Sequence, residues 1–337
     1  KELKTQEKPN PDRAVLIEID EKHQDQRLDN FLCSVCKGVP KSHVFRIIRS
    51  GEVRINRKRA EAKTKLCIGD VVRVPPIQVI EKQSIDELSS SGTLSKAHLL
   101  KTAADIPVLF EDEHLLVVNK PSGMAVHGGS GSTFGLIECI RALRSETHQD
   151  LELVHRIDRE TSGILIISKK RSALRKLQEQ LRARSWKKYY KTLVLGYWPE
   201  SLKQVDLPLL KTQAGEKEAR VFVDPLGDKA CTKIKLIQKF KSEYSVFTLI
   251  QAQILTGRTH QIRVHTSANK FPIAGDDRYG NFEMNKQLAR HGLKRMFLHA
   301  ARLQLVHPAT NETIVLEAPL APELDSFLKS LQAVNSK

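Results

Sequence analysis

Asp158 stands between Arg156 and Arg159 in the run Leu153-Val154-His155-Arg156-Ile157-Asp158-Arg159-Glu160-Thr161-Ser162-Gly163, just ahead of the apolar stretch Ile164 to Ile167. Two neighbouring cations favour the ionised carboxylate, which suits a nucleophile or general base better than a general acid. The same residues would also serve as an ordinary ion pair at the entrance of a strand. Their order alone leaves both readings open.

Other segments set reactive side chains beside turn signals. Leu116-Val117-Val118-Asn119-Lys120-Pro121 reads as a buried strand ending in a Lys-Pro turn, with His127 beyond it. In Lys187-Lys188-Tyr189-Tyr190-Lys191 the two tyrosines of an alternating strand must point to opposite faces, so only one can meet a cleft. The segment Thr256 to His265 carries His260, Ile262, Arg263 and His265, with Thr259 as a candidate cap and Phe271-Pro272 as a stop for a helix. A spacing of five puts the two histidines about 140° apart on a helix, too far round for one ion to take both readily. Cys33-x-x-Cys36 lacks the second pair that a zinc site needs, and Gly128-Gly129-Ser130-Gly131-Ser132 lacks the Gly-Lys-Ser/Thr ending of a triphosphate loop. Asp276-Asp277-Arg278-Tyr279-Gly280 fits a hydrogen-bonded structural loop better than a magnesium site. No metal and no cofactor is expected.

His155-Arg156-Ile157-Asp158-x-x-Thr161-Ser162-Gly163 resembles the catalytic motif of the RluA class of pseudouridine synthases, usually written His-Arg-Leu-Asp-x-x-Thr-Ser-Gly, with Ile157 replacing Leu. The segments Leu116 to His127, Lys187 to Gly196, Thr256 to His265 and Asp276 to Gly280 are similar to that class as well. The resemblance implies isomerisation of uridine to pseudouridine in RNA, with Asp158 as the essential nucleophile or acid/base residue. It further implies that Tyr190 stacks on the target base and that Arg263 is the cation paired with Asp158. Arg156 becomes the wedge that helps take a uridine out of its stack, with Lys120 and Ile262 as further substrate contacts. The rival is a noncatalytic RNA-binding or ribosome-assembly protein with a synthase-like fold; retention of Asp158, Tyr190 and Arg263 together argues against it.

The elements that must position these residues fall into two parts. A chain of 337 residues suggests two domains, and 55 Lys and Arg against 39 Asp and Glu, a net of +16, suit a protein that meets phosphates. From Glu21 to Pro76 there are 13 Lys and Arg against 6 Asp and Glu. Leu28, Phe31, Leu32 and Val35 recur at helical spacing, and a second helix follows with Ser42 able to cap it and Gly51 able to end it. The pattern Arg27-Leu28-Asp29, then Ile48-Arg49-x-Gly51-x-Val53-x-Ile55-Asn56, then Gly69-Asp70-x-Val72 is similar to the small RNA-binding module called S4, with Lys41, Arg46, Arg49, Arg54 and Arg57 as its phosphate contacts. Pro, Ser, Gln and Glu dominate the stretch after Pro75. The expected organisation is an N-terminal extension at 1–20, the S4-like module at 21–76, a linker at 77–104 and the synthase domain at 105–337.

Val108 to Phe110, Leu115 to Val118, Ile164 to Ile167, Leu193 to Leu195 and Tyr244 to Leu255 read as strands, and Ser172 to Leu181 as a helix. Strands that mostly lack helical crossovers predict an α+β fold with a mixed, largely antiparallel sheet. The S4-like module and the loop Val126 to Gly131 are most similar to members of the class that act on large-subunit RNA, which implies 23S ribosomal RNA as substrate and partner. Five cysteines without framework spacing, a polar start and no run of about 18 apolar residues predict a cytoplasmic protein that does not enter a membrane, expected as a monomer.

Overall fold

Leu28, Phe31 and Leu32 form the buried face of helix α1 (Leu28–Val35), packed against Val44, Ile47 and Ile48 of α2 (Lys41–Arg49). The computed structural model describes residues 13–36, 39, 41–77, 101, 103–128, 135–144, 151–212 and 220–334, and the chain divides into two units, Lys1–Gly92 and Thr93–Lys337. In the first unit Gly51, at φ +77°, ends α2 as expected, because a left-handed residue at that place suits glycine. Ser42 lies inside α2 and not at its cap. Four strands, β1 (Val15–Glu18), β2 (Arg54–Ile55), β3 (Lys58–Arg59) and β4 (Val71–Val74), pair in the order β1-β4-β2-β3.

The module is longer than its sequence signature at both ends. Residues 15–18, expected in an extension, pair with β4 from Val15↔Val74 to Glu18↔Val71, and Ile19 enters the core. Ile77, expected in the linker, is buried there too. Most of the linker, 78–100 and 102, lies outside the described residues. Its end does not behave as linker, since Ala103 packs in the core of the second unit.

The second unit is built on strands β5 (Val108–Glu111), β6 (Leu115–Lys120), β7 (Glu152–Leu153), β8 (Ser162–Ser168), β9 (Lys187–Leu195), β10 (Gln204–Asp206), β11 (Leu209–Lys211), β12 (Val221–Val223), β13 (Cys231–Lys241), β14 (Val246–Ile254), β15 (Leu298–Val306), β16 (Thr313–Glu317) and β17 (Gln332–Val334). Eleven of them form one sheet whose main path runs β10-β13-β14-β9-β15-β8-β6-β5, while β11 and β12 make a separate ribbon. Among the described strands only β8 and β15 pair in parallel, so the sheet is mixed and largely antiparallel.

Both faces of β8 are buried, as its unbroken apolar run requires. Leu165 and Ile167 pack with Leu136 and Ile140 of the helix Leu136–Leu143, whereas Ile164 and Ile166 pack with Leu174 and Leu177 of the helix Arg171–Arg182. A third core under β9 and β14 takes Leu288 from the helix Phe282–Arg290 and Leu324 and Phe327 from the helix Pro322–Ser330. The sheet is thereby a fixed platform from which the strand ends aim side chains into loops. No helix among the described residues is long and apolar enough to cross a membrane.

Candidate active site

Asp158 lies in the loop between β7 and β8, and the residues after it are what hold that loop. Its carbonyl accepts the Thr161 N–H at 3.1 Å, closing a turn. Ser162 is buried; its Oγ lies 2.8 Å from His299 Nδ1 and accepts Arg295 Nη2 at 2.8 Å. Gly163 has φ +112°, and a Cβ there would stand 2.3 Å from the Ala300 carbonyl oxygen, so only glycine lets β8 run beside β15 at this point. The Thr-Ser-Gly signature is thus a clamp for the carboxylate's loop.

Lys120 completes the clamp from below. It is fully buried, and its Nζ donates to the carbonyls of Pro121 (2.8 Å), Met124 (2.8 Å) and Arg159 (3.0 Å). Burial pushes its pKa down to about 7; Glu160 and Asp158 oppose that shift and Arg295 adds to it. Three acceptors match the three N–H bonds of an ammonium. This corrects the expectation that Lys120 touches substrate: its side chain ties the 121–124 turn to the Asp158 loop and does not line the cavity above.

That cavity, about 430 Å³, has Asp158 in its wall, with 27% of the carboxylate side chain exposed. Such a volume is in the range of small-ligand sites. Trp186, just before β9, and Lys188 and Tyr190 within it line the cavity at alternate positions, while Tyr189 faces away, with Arg302 over its ring at 5.7 Å. Burial first, and then the charge of Asp158, pushes the Tyr190 phenol up, so it stays a neutral ring and hydroxyl. Lys188 sits 5.2 Å from the centre of the Trp186 ring, and burial pushes its ammonium down to about 8. Arg156 is exposed at the cavity edge, and Ile262 supplies an apolar wall.

Arg263 lines the same cavity but does not pair with Asp158, which corrects the expected ion pair. Its fork is taken by Asp276, with Nε and Nη2 donating at 2.8 and 2.7 Å, and Nη2 also meets Asp277 at 3.3 Å. Asp276 is almost wholly buried and accepts the N–H groups of Arg278 and Tyr279 as well, which makes 276–280 the hydrogen-bonded loop expected of it. Burial works against the Arg263 cation, Asp276 more than offsets that, and the field of Asp158 helps to raise its pKa further. Arg263 therefore reaches Asp158 as a nearby charge, held in place by another carboxylate.

His260 stands beside Asp158 as a charge partner, with Nε2 3.9 Å from Oδ2. It caps the helix Gln261–Ala268 in place of Thr259 and adopts φ +54°, ψ +21°. His265 turns away to Thr232 and Leu207, so the two histidines do not converge. Among the described residues no cluster of three or more His, Cys, Asp or Glu could hold a metal ion. His260 is weighed from sequence only as a metal ligand, and Trp186 and Lys188 not at all; the period of two through Tyr190 was the available signal for the last two.

In the S4-like unit Arg46, Arg49, Arg54 and Arg57 are all exposed, while the Lys41 side chain lies outside the described residues. Asn56 and Arg57 make the two-residue turn between β2 and β3 with φ +49° and +68°. This raises Arg57 at the tip of a hairpin.

Residues 114–268 match the family model described as RNA pseudouridylate synthase, and residues 26–72 that of the S4 domain. The human RNA pseudouridylate synthase domain containing 1 has a similar fold, with a TM-score of 0.57, 21% identity, and 69% of this chain and 90% of that chain covered. The ribosomal large subunit pseudouridine synthase C of Vibrio vulnificus (strain CMCP6) is 50% identical over 320 residues, 95% of this chain and 97% of its own length. That of Yersinia pestis is 50% identical over 327 residues, covering 96% and 98%. With identity at this level over nearly the whole of both chains, the protein belongs to the family of ribosomal large subunit pseudouridine synthases of type C.

Proposed function

We propose that this protein converts chosen uridines of 23S ribosomal RNA to pseudouridine, with Asp158 as the residue that acts on the nucleoside. The supporting observation is a partly exposed carboxylate held by a buried clamp in the wall of a cavity of about 430 Å³ that also contains Tyr190, Arg156 and Ile262. The ribose bond to N1 breaks, the base turns while it is held, and a bond to C5 forms as C5 loses its proton and N1 gains one. Atoms and electrons are conserved, so the conversion calls for no redox partner. A uridine in folded RNA must first leave its stack; Arg156 at the cavity edge fills the place it vacates, and the Tyr190 ring receives the base. Asp158 then serves as nucleophile or base. The S4-like unit adds exposed cations that hold the surrounding RNA by its phosphates. A ribosomal RNA substrate supports a cytoplasmic location.

Asp158→Asn keeps the size of the side chain but removes the nucleophile or base, so pseudouridine formation in 23S RNA is expected to vanish with RNA affinity nearly intact. Mapping pseudouridines in ribosomal RNA from cells carrying the parent, the variant or neither protein reads this directly. Pseudouridine formation by the variant within a few-fold of the parent would sink the role given to Asp158. A parent that binds the RNA but restores no pseudouridine would favour the noncatalytic alternative.

A further inference from the structure

His260 adopts a left-handed backbone, φ +54° and ψ +21°, at the cap of the helix Gln261–Ala268, and its side chain makes no capping bond there. Caps ordinarily have extended backbone and a short polar side chain that bonds the helix. A non-glycine residue held in this region is a strained feature that the surrounding structure must enforce, and such features gather at working sites. What the strained backbone achieves here is the aim of the imidazole.

A chain of contacts fixes the imidazole's state. The Val221 N–H donates to the Tyr279 hydroxyl oxygen at 3.1 Å, and that oxygen lies 2.8 Å from His260 Nδ1. A backbone N–H can only donate, so it occupies a lone pair of the phenol and leaves the hydroxyl proton for a neighbour. Among the described residues the acceptor in reach of that proton is Nδ1. With Nδ1 accepting, the neutral ring carries its proton on Nε2. Nε2 faces Asp158 Oδ2 at 3.9 Å, inside the cavity wall.

We infer that His260 is a positioning residue for Asp158: Tyr279 sets its tautomer, and its Nε2–H closes onto Oδ2 when substrate fills the cavity, fixing the carboxylate's direction. Hydrogen bonds of this kind are often long in an empty site and shorten once substrate is bound. Burial lowers the imidazole's pKa, Asp158 and Asp276 oppose this, and Arg263 and Arg278 support it, which favours the neutral donor. This role rests on Asp158 carrying the isomerisation proposed above. Neither Arg263, whose fork Asp276 holds, nor Lys120, which faces backbone carbonyls, can supply the same directed bond.

The test uses the whole chain and its large-subunit RNA, with His260→Ala, His260→Gln and His260→Asn. A gln amide nitrogen reaches the place of Nε2, whereas Asn tolerates the left-handed backbone best but carries its donor only as far as Nδ1. Misaiming a reacting group by about 1 Å can reduce turnover about 100-fold, so His260→Ala should lose kcat on that order while RNA affinity and KM change less than about twofold. His260→Gln should recover to within about tenfold of the parent, and His260→Asn should stay near Ala. Asn outperforming Gln would mean that the position matters only for its backbone and would overturn the inference, as would Ala turning over like the parent. Nitrogen NMR of the unaltered protein, with the His260 signal assigned by its loss in the Gln variant, supplies a second readout that needs no activity. It should show a proton on Nε2 and none on Nδ1, and Tyr279→Phe should mix the two tautomers. A proton on Nδ1 in the parent overturns the inference even if every His260 variant folds poorly. Loss of activity in Asp158→Asn, tested alongside, separates a failure here from a failure of the proposed function.

Discussion

The guanidinium of Arg263 grips Asp276 by two hydrogen bonds, at 2.8 and 2.7 Å, and does not close on Asp158, although both line the same cavity. Asp158 keeps 27% of its side chain exposed to the cavity, while a second carboxylate fixes the cation beside it. Both members of the Arg263–Asp276 pair are nearly wholly buried, so each depends on the other for most of the compensation of its charge, with Asp277 adding to Arg263 and two backbone N–H groups to Asp276.

Removing one member should therefore be costly. Asp276→Ala is expected to destabilise the protein by about 3–5 kcal/mol, since it strands a buried guanidinium. Asp276→Asn, which keeps one acceptor oxygen, should lose less stability but still lower turnover. Urea unfolding and single-turnover rates measured on the same samples would expose a mistake: a stable, fully active Asp276→Ala would mean that the pair holds nothing the reaction uses.

Lys120→Met is expected to separate structure from substrate contact. The carbonyls of Pro121 and Met124 lose the ammonium and that of Arg159, the third, keeps only the Gly123 N–H, which should lower stability by about 3 kcal/mol, offset in part by removing a buried charge. Because the Arg159 carbonyl is one of the three, the Asp158 loop loosens and kcat should fall with RNA affinity unchanged. Weakened RNA binding with unchanged stability would return Lys120 to the role of a substrate contact.

The buried His299 sets a pH dependence of stability. Burial, with the charges of Arg295 and Lys191 behind it, lowers its pKa from 6.5 to about 4. Between those values the unfolded chain binds a proton that the folded one does not, so unfolding becomes easier as pH falls through that window. The loss amounts to about 3 kcal/mol at most by pH 4. Denaturant midpoints taken every half unit should slope downward with acid in the parent and less steeply in His299→Asn, where the oxygen can still accept from Ser162. Equal slopes would place the titrating group elsewhere.

Arg57 occupies a turn position where glycine is the favoured residue. Arg57→Gly should stabilise the hairpin by about 0.5–1 kcal/mol while weakening RNA binding and reducing its salt dependence by about one unit of slope, the signature of one lost phosphate contact. Changing Arg46, Arg49, Arg54 and Arg57 together to Ala should reduce the slope by about three units. Thermal melts and binding isotherms at several salt concentrations test both; an unchanged slope would remove these arginines from the interface.

Local order left Asp158 open between catalysis and an ion pair, and it was the resemblance of short runs to a known family that drew attention to Asp158, Tyr190 and Arg263. Alternation along β9 already separated Tyr190 from Tyr189, and an apolar run with no polar alternation already announced that β8 is covered on both faces. The S4-like pattern was legible for the same reason, although its signature stops short of the edge strand Val15–Glu18, which has no helical or turn signal and becomes a strand only through its pairing with β4. Strands β13 and β15 were likewise missed: β13 alternates with lysines and β15 carries His299 and Arg302, so their membership depends on neighbours remote in sequence.

Partner choice among charged groups was decided by the tertiary structure alone. Sequence offers Arg263 the carboxylates of Asp158, Asp276 and Asp277, and distances of a few ångströms in the folded chain award it to Asp276. Whether Lys120 meets substrate or backbone, and which way the His260 ring points, turn on the same kind of distance. Electrostatic and hydrogen-bond energies fall off within a few ångströms and depend on burial, and neither separation nor burial is written in the spacing of residues along a strand.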